Sequence, residues 1–477
     1  IKKHLVGFAT MVCTLMEDED LELSQTKNLC TASSDAIGML VSGHLARWNV
    51  KYARRVKSLG AGLGAGRRRN TVTTSKRLAA FRARRSRFVA LKRSGVDTAR
   101  LLRTGGISAM TYGQAVMGVS PSVLLRQRRA AEHASAPRGG GAGRQLDLAL
   151  MLADGSATGR ADPAFDAHAD PIGQWATAVW EEWLPRTALL RLAADALRKL
   201  AVAKSPWHHC KGPGAGFVAT AARLGWIVHD ALSVTTDEGS ALRLGVDPPA
   251  VVIKACHAAV RRWRWRNVEQ SMPSIATVAA AGGPSMAPIW KLLRSNQDDA
   301  AWNPATRSGL RSVLTNRQWT QQRGHKAGWF AHNRCMMCLH MLAVELEGPD
   351  PSDEAMLHCV PDAPVGNLGH RNWQCPAHKG KREKMGPEEL RLAVSRGEGS
   401  GSSAQERALF PCIHHVIPAR SCQASFEWVV EPSELPVSGK VYTDGSRIDA
   451  EVDQAVARLG WSVVVVAGDG RILASAK

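Results

Sequence analysis

The sequence predicts a mixed fold, with a mostly α-helical middle followed by the start of a small β-sheet at the C-terminus. Two observations predict it. From 76 to 133, and again from 174 to 268, apolar residues recur at helical spacing. After residue 437 the period shortens to β-type runs at Lys440–Thr443, Gly460–Val466 and Arg471–Ala474, with Asp469-Gly470 as a hairpin turn between the last two.

Taken in order, residues 1–65 mix helical and strand patterns. The N-terminus has a basic start and an apolar stretch too short for a signal peptide, with acids following at Glu17–Asp20. A chain opening on Ile is expected to be a fragment. Leu78, Phe81, Phe88 and Leu91 carry the helical pattern of 76–133. Pro137–Gly143 is a break, and 153–173, punctuated by Asp, Gly and Pro, is expected as a loop. Residues 174–204 predict a helix pair or one long helix, with Trp175, Val179, Trp183 and Leu189 to Leu200 on its apolar face. Further helices are expected over 214–230 and 250–268, separated by Asp247-Pro248-Pro249. The second carries Arg261-Arg262-Trp263-Arg264-Trp265-Arg266. Interleaved Arg and Trp can stack on bases and clamp phosphates; equally, Trp263 and Val260 can be core with the arginines outside. The Pro/Asp-rich 348–366 and the charged, Gly/Ser-rich 380–404 read as loop and linker, and no internal repeat is found.

The formal charge is +20, and residues 51–103 hold 17 Lys/Arg against the single acid Asp97. So concentrated a basic block suits a polyanion, nucleic acid being the commonest, or else is a solvated tract binding anions without specificity. No apolar run approaches the ~18–20 residues that cross a bilayer, so no membrane partner is expected. Ten scattered cysteines do not make a disulfide framework and fit an intracellular protein with one local metal site; nucleus and cytoplasm are not distinguished.

That site is expected at Cys335, Cys338, His370 and Cys375, spaced C-x2-C-x31-H-x4-C. The first pair presents two thiolates from one tight turn, and the second supplies the remaining ligands of a closed tetrahedral zinc site of the structural kind. His340, His358, Cys359 and His378 are rivals in the same segment. Cys412, His414, His415 and Cys422 have poorer spacing and are not read as a site.

In Lys440-Val441-Tyr442-Thr443-Asp444-Gly445-Ser446 a β-run delivers a carboxylate at its end, before a glycine. On physical grounds alone such an Asp-Gly is more often a turn than a ligand, because phosphodiester hydrolysis by Mg²⁺ needs several converging carboxylates.

The string Tyr442–Ser446, followed by Ala457–Trp461, the valine run and the Asp469-Gly470 turn, resembles the first three strands of a type-1 ribonuclease H domain. The resemblance implies a truncated α/β, ribonuclease H-like sheet. It makes Asp444 a catalytic Mg²⁺ ligand and Ser446 a substrate contact, and it places the family's other acidic residues after Lys477. Upstream, Leu21–Lys27 and Val56–Gly60 are similar to stretches that follow the catalytic strand of retroelement reverse transcriptases. A Cys-Cys-His-Cys knuckle ahead of ribonuclease H also suits a non-long-terminal-repeat retroelement polyprotein.

This resemblance implies a reverse-transcriptase-like palm end over 1–65, a basic thumb-like region over 66–200 and a helical connection over 201–334. A zinc knuckle over 335–380, a linker over 381–436 and incomplete ribonuclease H strands over 437–477 complete the plan. RNA, DNA and RNA–DNA hybrid are the expected partners. Arg67, Arg68, Arg69, Arg84 and Arg85 are expected to contact phosphates. Two other expectations stand beside it: a non-catalytic zinc-dependent nucleic-acid-binding protein, and the remnant of a decayed element that folds only in parts.

Overall fold

Helices form where apolar spacing predicts them, and in two places where polar residues hide the spacing. The computed structural model describes residues 2–135, 145–152, 161–293, 302–383, 407–411, 427–433, 439–448 and 458–476, apart from 22, 25, 26, 59, 66–68, 95, 97, 287, 288, 290, 291 and 408. Over these residues the chain is mostly helical with small sheets, and it divides after Asn267 into two units.

In the first unit, helix α1 (Lys2–Asp18) and helix α2 (Asp35–His44) flank a two-residue parallel pair, β1 (Leu29–Cys30) with β2 (Lys51–Tyr52). Strands β3 (Arg55–Ser58) and β4 (Ala61–Gly64) form a hairpin that turns at Gly60, φ +88°. Val56 to Ser58 lie on this hairpin. Then come α3 (Val72–Ala83), α4 (Arg85–Arg93), α5 (Thr98–Leu101), α6 (Ile107–Thr111), α7 (Pro121–Ser135) and α8 (Gln145–Met151). Leu78 and Phe81 are buried together with Leu102, Met110 and Leu148, and Phe88 packs against them. The helical reading of this basic stretch holds because its few apolar residues fall on one side.

A second core joins α9 (Ala164–Trp180), α10 (Arg186–Ala201), α11 (Pro206–His209), α12 (Pro213–Leu224) and α13 (Pro249–Glu269). Trp175 stacks on Phe217 at 5.3 Å between ring centroids and donates its indole N–H to the Ala231 carbonyl at 2.9 Å. This core runs without a break from Val119 to Val260, through the expected division at 200/201.

Two expectations change here, and one of two alternatives is settled. The loop predicted over 153–173 is helical from Ala164. Phe165, Ala169 and Ile172 form a buried helical stripe that the neighbouring Asp, His and Pro conceal in the sequence. Pro171 has no N–H to offer the Ala167 carbonyl; the Arg223 guanidinium, 3.4 Å away, donates to it instead. The segment 174–204 is a pair of helices, broken before Pro185. The helix expected to reach 230 stops at Leu224, because Gly225 turns left-handed (φ +87°) and returns its N–H to Ala221 and Ala222. The chain then forms a three-stranded antiparallel meander, β5 (Ile227–Val228), β6 (Ser233–Thr235) and β7 (Ala241–Arg243).

The Arg/Trp run on α13 is structural. Trp265 is buried and Trp263 packs against His168 at 5.1 Å. Arg262 and Arg266 both reach Asp237, at 2.7 and 3.3 Å. The expectation of arginines outside fails at Arg264, which is 4% exposed. Its Nε lies 3.0 Å from Asp162, whose carboxylate also takes Nη2 of Arg128 at 2.9 Å. Arg128 continues to Gln145 on α8, and Arg264 to the Ala149 carbonyl. One buried carboxylate thus ties α7, α8, α13 and the start of α9.

In the second unit, α14 (Ala276–Ala280), α15 (Pro304–Leu314), α16 (Gln321–Lys326), α17 (Met336–Glu347), α18 (Asp353–His358) and α19 (Lys379–Glu383) precede a four-stranded sheet. The sheet comprises β8 (Trp428–Val430), β9 (Lys440–Ile448), β10 (Arg458–Val466) and β11 (Ile472–Ala476), in the order β8-β11-β10-β9, with every pair antiparallel. Gly470 (φ +86°) makes the predicted turn. The loop expected over 348–366 contains α18, started by the Ser352 hydroxyl accepting from the Ala355 N–H. No helix among the described residues is long and apolar enough to cross a membrane.

Two stability predictions follow from these contacts. Asp162→Asn leaves two buried guanidiniums without a counter-charge, and chemical unfolding should show a loss of about 3–5 kcal/mol. Burial, with Asp166 one turn away, pushes the Asp170 carboxyl up to about 7. Its folded value lies above its unfolded one, so the stability it allows is fully present below pH ~4 and drains away until pH ~7. Asp170→Asn should match the parent in thermal unfolding at pH ~4 and exceed it at pH ~8, by as much as ~4 kcal/mol. Parallel pH profiles would contradict this.

Candidate metal centre

The two halves of the C-x2-C-x31-H-x4-C pattern are each one turn of backbone. Cys335 is the N-cap of α17 and Cys338 lies three residues on, so both sulfurs leave the same side of the first turn. His370 opens a π-turn over His370–Gln374 and Cys375 closes it, the Cys375 N–H returning to the His370 carbonyl at 2.7 Å. That i-to-i+5 closure lets an H-x4-C spacing present both side chains to one point.

Backbone pairing joins the halves. The Cys335 N–H donates to Pro364 and the Gly366 N–H to Asn333, both at 2.8 Å, and Arg334 donates to the Ala363 carbonyl. Gly366 has no room for a side chain: a Cβ there would stand 3.2 Å from the Cys335 backbone. The Asn367 side chain accepts from the His370 N–H at 2.8 Å and fixes the start of the π-turn.

The ligand atoms of Cys335, Cys338, His370 and Cys375 all lie within 4.8 Å of one another, and all four residues are buried. Cys375 Sγ stands 3.9 Å from Cys335 Sγ and 3.7 Å from Cys338 Sγ, and Cys338 Sγ stands 3.2 Å from His370 Nε2. A tetrahedral ion with Zn–S bonds of about 2.3 Å sets sulfurs about 3.8 Å apart, so the donor set fits a metal ion such as zinc. The set is closed, with no position left for substrate. Burial, and then the adjoining Cys375 and Cys335, push the Cys338 thiol up to about 12. Burial, then Arg382 and His378, push His370 down, which keeps its imidazole neutral. A bound dication would reverse that upward push at the Cys338 thiol.

The rivals stay outside the cluster. His340 and His358 are exposed, His378 is half-buried, and Cys359 packs with Leu339, Ala343 and Ala355 in a small core between α17 and α18. Cys412, His414, His415 and Cys422 lie outside the described residues.

Arg67 and Arg68 lie outside the described residues. Arg69 is only partly exposed, donating to the Gly118 carbonyl at 2.7 Å, and burial pulls its guanidinium down. Arg69 does line a cavity of about 460 Å³ with Ser33, Ser34, Arg54 and Arg55, although Asp35 pairs with Arg54 at its wall. Arg84 and Arg85 are exposed at the α3–α4 junction beside Arg82 and Arg87. The local positive field shows at His133, pushed down by burial, then by Arg85 and Arg82.

Asp444 is exposed and lies mid-strand, paired with Ser462, because Gly445 to Ile448 continue the ladder against Trp461 to Arg458. The expectation of a strand-end carboxylate is corrected by this pairing. Ser446 pairs with Gly460. Among the described residues Asp444 belongs to no group of three or more metal-ligating side chains. The sequence reading passed over Trp319 and Trp329, whose rings stack in the open at 4.2 Å.

No family model, curated protein or solved structure matches this chain.

The purified chain should carry about one equivalent of zinc by elemental analysis. Cys335→Ser and Cys375→Ser should lose it, while Cys359→Ser keeps it. A metal-free parent, or loss in the Cys359 variant alone, would show the ligand set to be wrong.

Proposed function

We propose that this chain is a nucleic-acid-binding part of a retroelement reverse transcriptase/ribonuclease H protein. Cys335, Cys338, His370 and Cys375 hold a structural zinc, and RNA–DNA hybrid is the substrate of the complete protein. The observation that carries the reading is the buried Cys₃His set in a chain of charge +20. A closed zinc site supplies fold rather than reactivity, and it recurs where a small module must present basic side chains to phosphates. The antiparallel run β9-β10-β11, with Asp444 on its first strand, supports the ribonuclease H part.

The basic cluster at Arg82, Arg84, Arg85 and Arg87 supplies the phosphate contacts, each displacing a condensed counterion. A-form hybrid is recognised by its shape, its phosphates and its 2′-hydroxyls, which suits arginines spread along a helix pair. Zinc takes no part in chemistry. Magnesium is a different matter. Mg²⁺ bridging an attacking and a leaving oxygen needs several carboxylates, and Asp444 brings one. The described residues do not fit a magnesium site, and no hydrolytic step is derived through one.

The same observation favours a second reading, a non-catalytic zinc-dependent nucleic-acid-binding protein. Both readings predict that the chain binds labelled RNA–DNA hybrid at about 50 mM salt, and that affinity falls steeply, by orders of magnitude, towards about 200 mM. Arg84→Ala with Arg85→Ala should weaken binding and flatten the salt slope by about two. Asp444→Asn should leave binding intact. No binding at the lower salt would overturn both. Mg²⁺-dependent cleavage of the hybrid that Asp444→Asn abolishes would remove the non-catalytic reading and show that carboxylates beyond the described residues complete the site.

A further inference from the structure

Trp319 and Trp329 stand on either side of α16 and stack with planes 25° apart. They are 55% and 65% exposed, and Phe330 beside them is 41% exposed. Large aromatic faces left in water signal a partner, the more so when they are held rigidly. This pair is so held. The Thr320 hydroxyl caps α16 by accepting from the Arg323 N–H, and Gly328 (φ +77°) turns the chain back towards Trp329. Arg323 clamps the incoming arm through the Asn316 and Gln318 carbonyls at 2.6 and 2.8 Å.

The hairpin is also fastened to the metal centre. Arg371, the residue after the ligand His370, donates to the Trp319 carbonyl at 3.2 Å and to Gln318 at 2.9 Å. The Gln322 N–H donates to Gly366, the residue that packs on the Cys335 backbone.

The charge around the pair selects the partner. From residue 300 to 344 the chain has six Lys/Arg and no Asp or Glu. Lys326 and Arg371 are exposed close by in the chain and fold. A flat π-face beside cations suits a base with its phosphate. Bases in a duplex already have both faces covered, so only an unpaired strand can use it. We infer that Trp319 and Trp329 are a stacking platform for unpaired bases of single-stranded nucleic acid, positioned by the metal centre. This rests on the nucleic-acid-binding reading above and adds the strand type and the residues.

The test measures anisotropy of the full chain with labelled oligo-dT and with blunt RNA–DNA hybrid, alongside intrinsic tryptophan fluorescence. Trp319→Ala, Trp329→Ala and the double variant should weaken oligo-dT binding about tenfold or more. Hybrid affinity should stay unchanged, and oligo-dT should quench the parent's fluorescence more than the double variant's. Trp319→Phe and Trp329→Phe should retain most of the affinity, and zinc content equal to the parent's reports an intact fold. Unchanged oligo-dT affinity in the double variant, with the parent still binding, would overturn the platform and leave the general reading standing. Loss of binding to an acidic peptide with oligo-dT affinity kept would assign the pair to a protein partner and also overturn it. A parent that binds neither nucleic acid overturns the general reading and the platform together.

Discussion

The helical unit depends on how it disposes of positive charge. Among the described residues of this unit Arg128 and Arg264 are buried and Arg223 is half-buried. Arg128 and Arg264 share Asp162, which is fully buried and therefore expensive to lose. Arg223 has no carboxylate in its hydrogen bonds. It donates to the Val119 and Ala167 carbonyls and to His168 Nε2, and burial pulls it down to about 9. The His168 ring can accept because its Nδ1 lies 2.6 Å from the Ala164 carbonyl, which assigns the proton to Nδ1. Burial and Arg223 then hold that imidazole neutral. The proline in α9, the histidine beside it and the arginine from α12 are one arrangement, each answering a polar group the others would leave bare.

Much of this was legible in the sequence, and the failures have physical causes. Apolar spacing found α3, α4, α10 and α13 because their cores come from Leu, Val, Phe and Trp. It missed the start of α9, where Phe165, Ile172 and several alanines do the burying and Asp, His and Pro stand between them. It overran α12 because Gly225 was read as helix interior when it is the left-handed cap. The Arg/Trp run on α13 could not be assigned from spacing. Its arginines point inward only because Asp162 and Asp237, about 100 and 25 residues earlier, wait there. The four metal ligands were found from paired spacing alone, since each pair sits on a single turn. Asp444 was placed at a strand end because the glycine after it looked like a stop; the ladder with β10 carries the strand on to Ile448.

The metal centre and the aspartate strand differ in what they contain. The first is a closed set, complete within one unit and joined by backbone hydrogen bonds on both sides. Asp444 is, among the described residues, a single exposed carboxylate on a strand ladder. The basic residues are likewise of two kinds. Arg69, Arg128, Arg223 and Arg264 are spent inside the fold, whereas Arg84, Arg85 and their neighbours face solvent.

The 31-residue spacer between the ligand pairs carries most of α17 and all of α18, packed around Leu339, Ala343, Ala355 and Cys359. Closing a flexible loop of that length costs roughly 3 kcal/mol in chain entropy, growing only with the logarithm of its length. A spacer with its own core carries that cost before any ion arrives. The Cys335/Cys338 pair then meets the His370/Cys375 pair at high effective concentration, and capture of an ion would approach an intramolecular step. The helical insert would thereby help the centre load, without contributing a ligand from its own length.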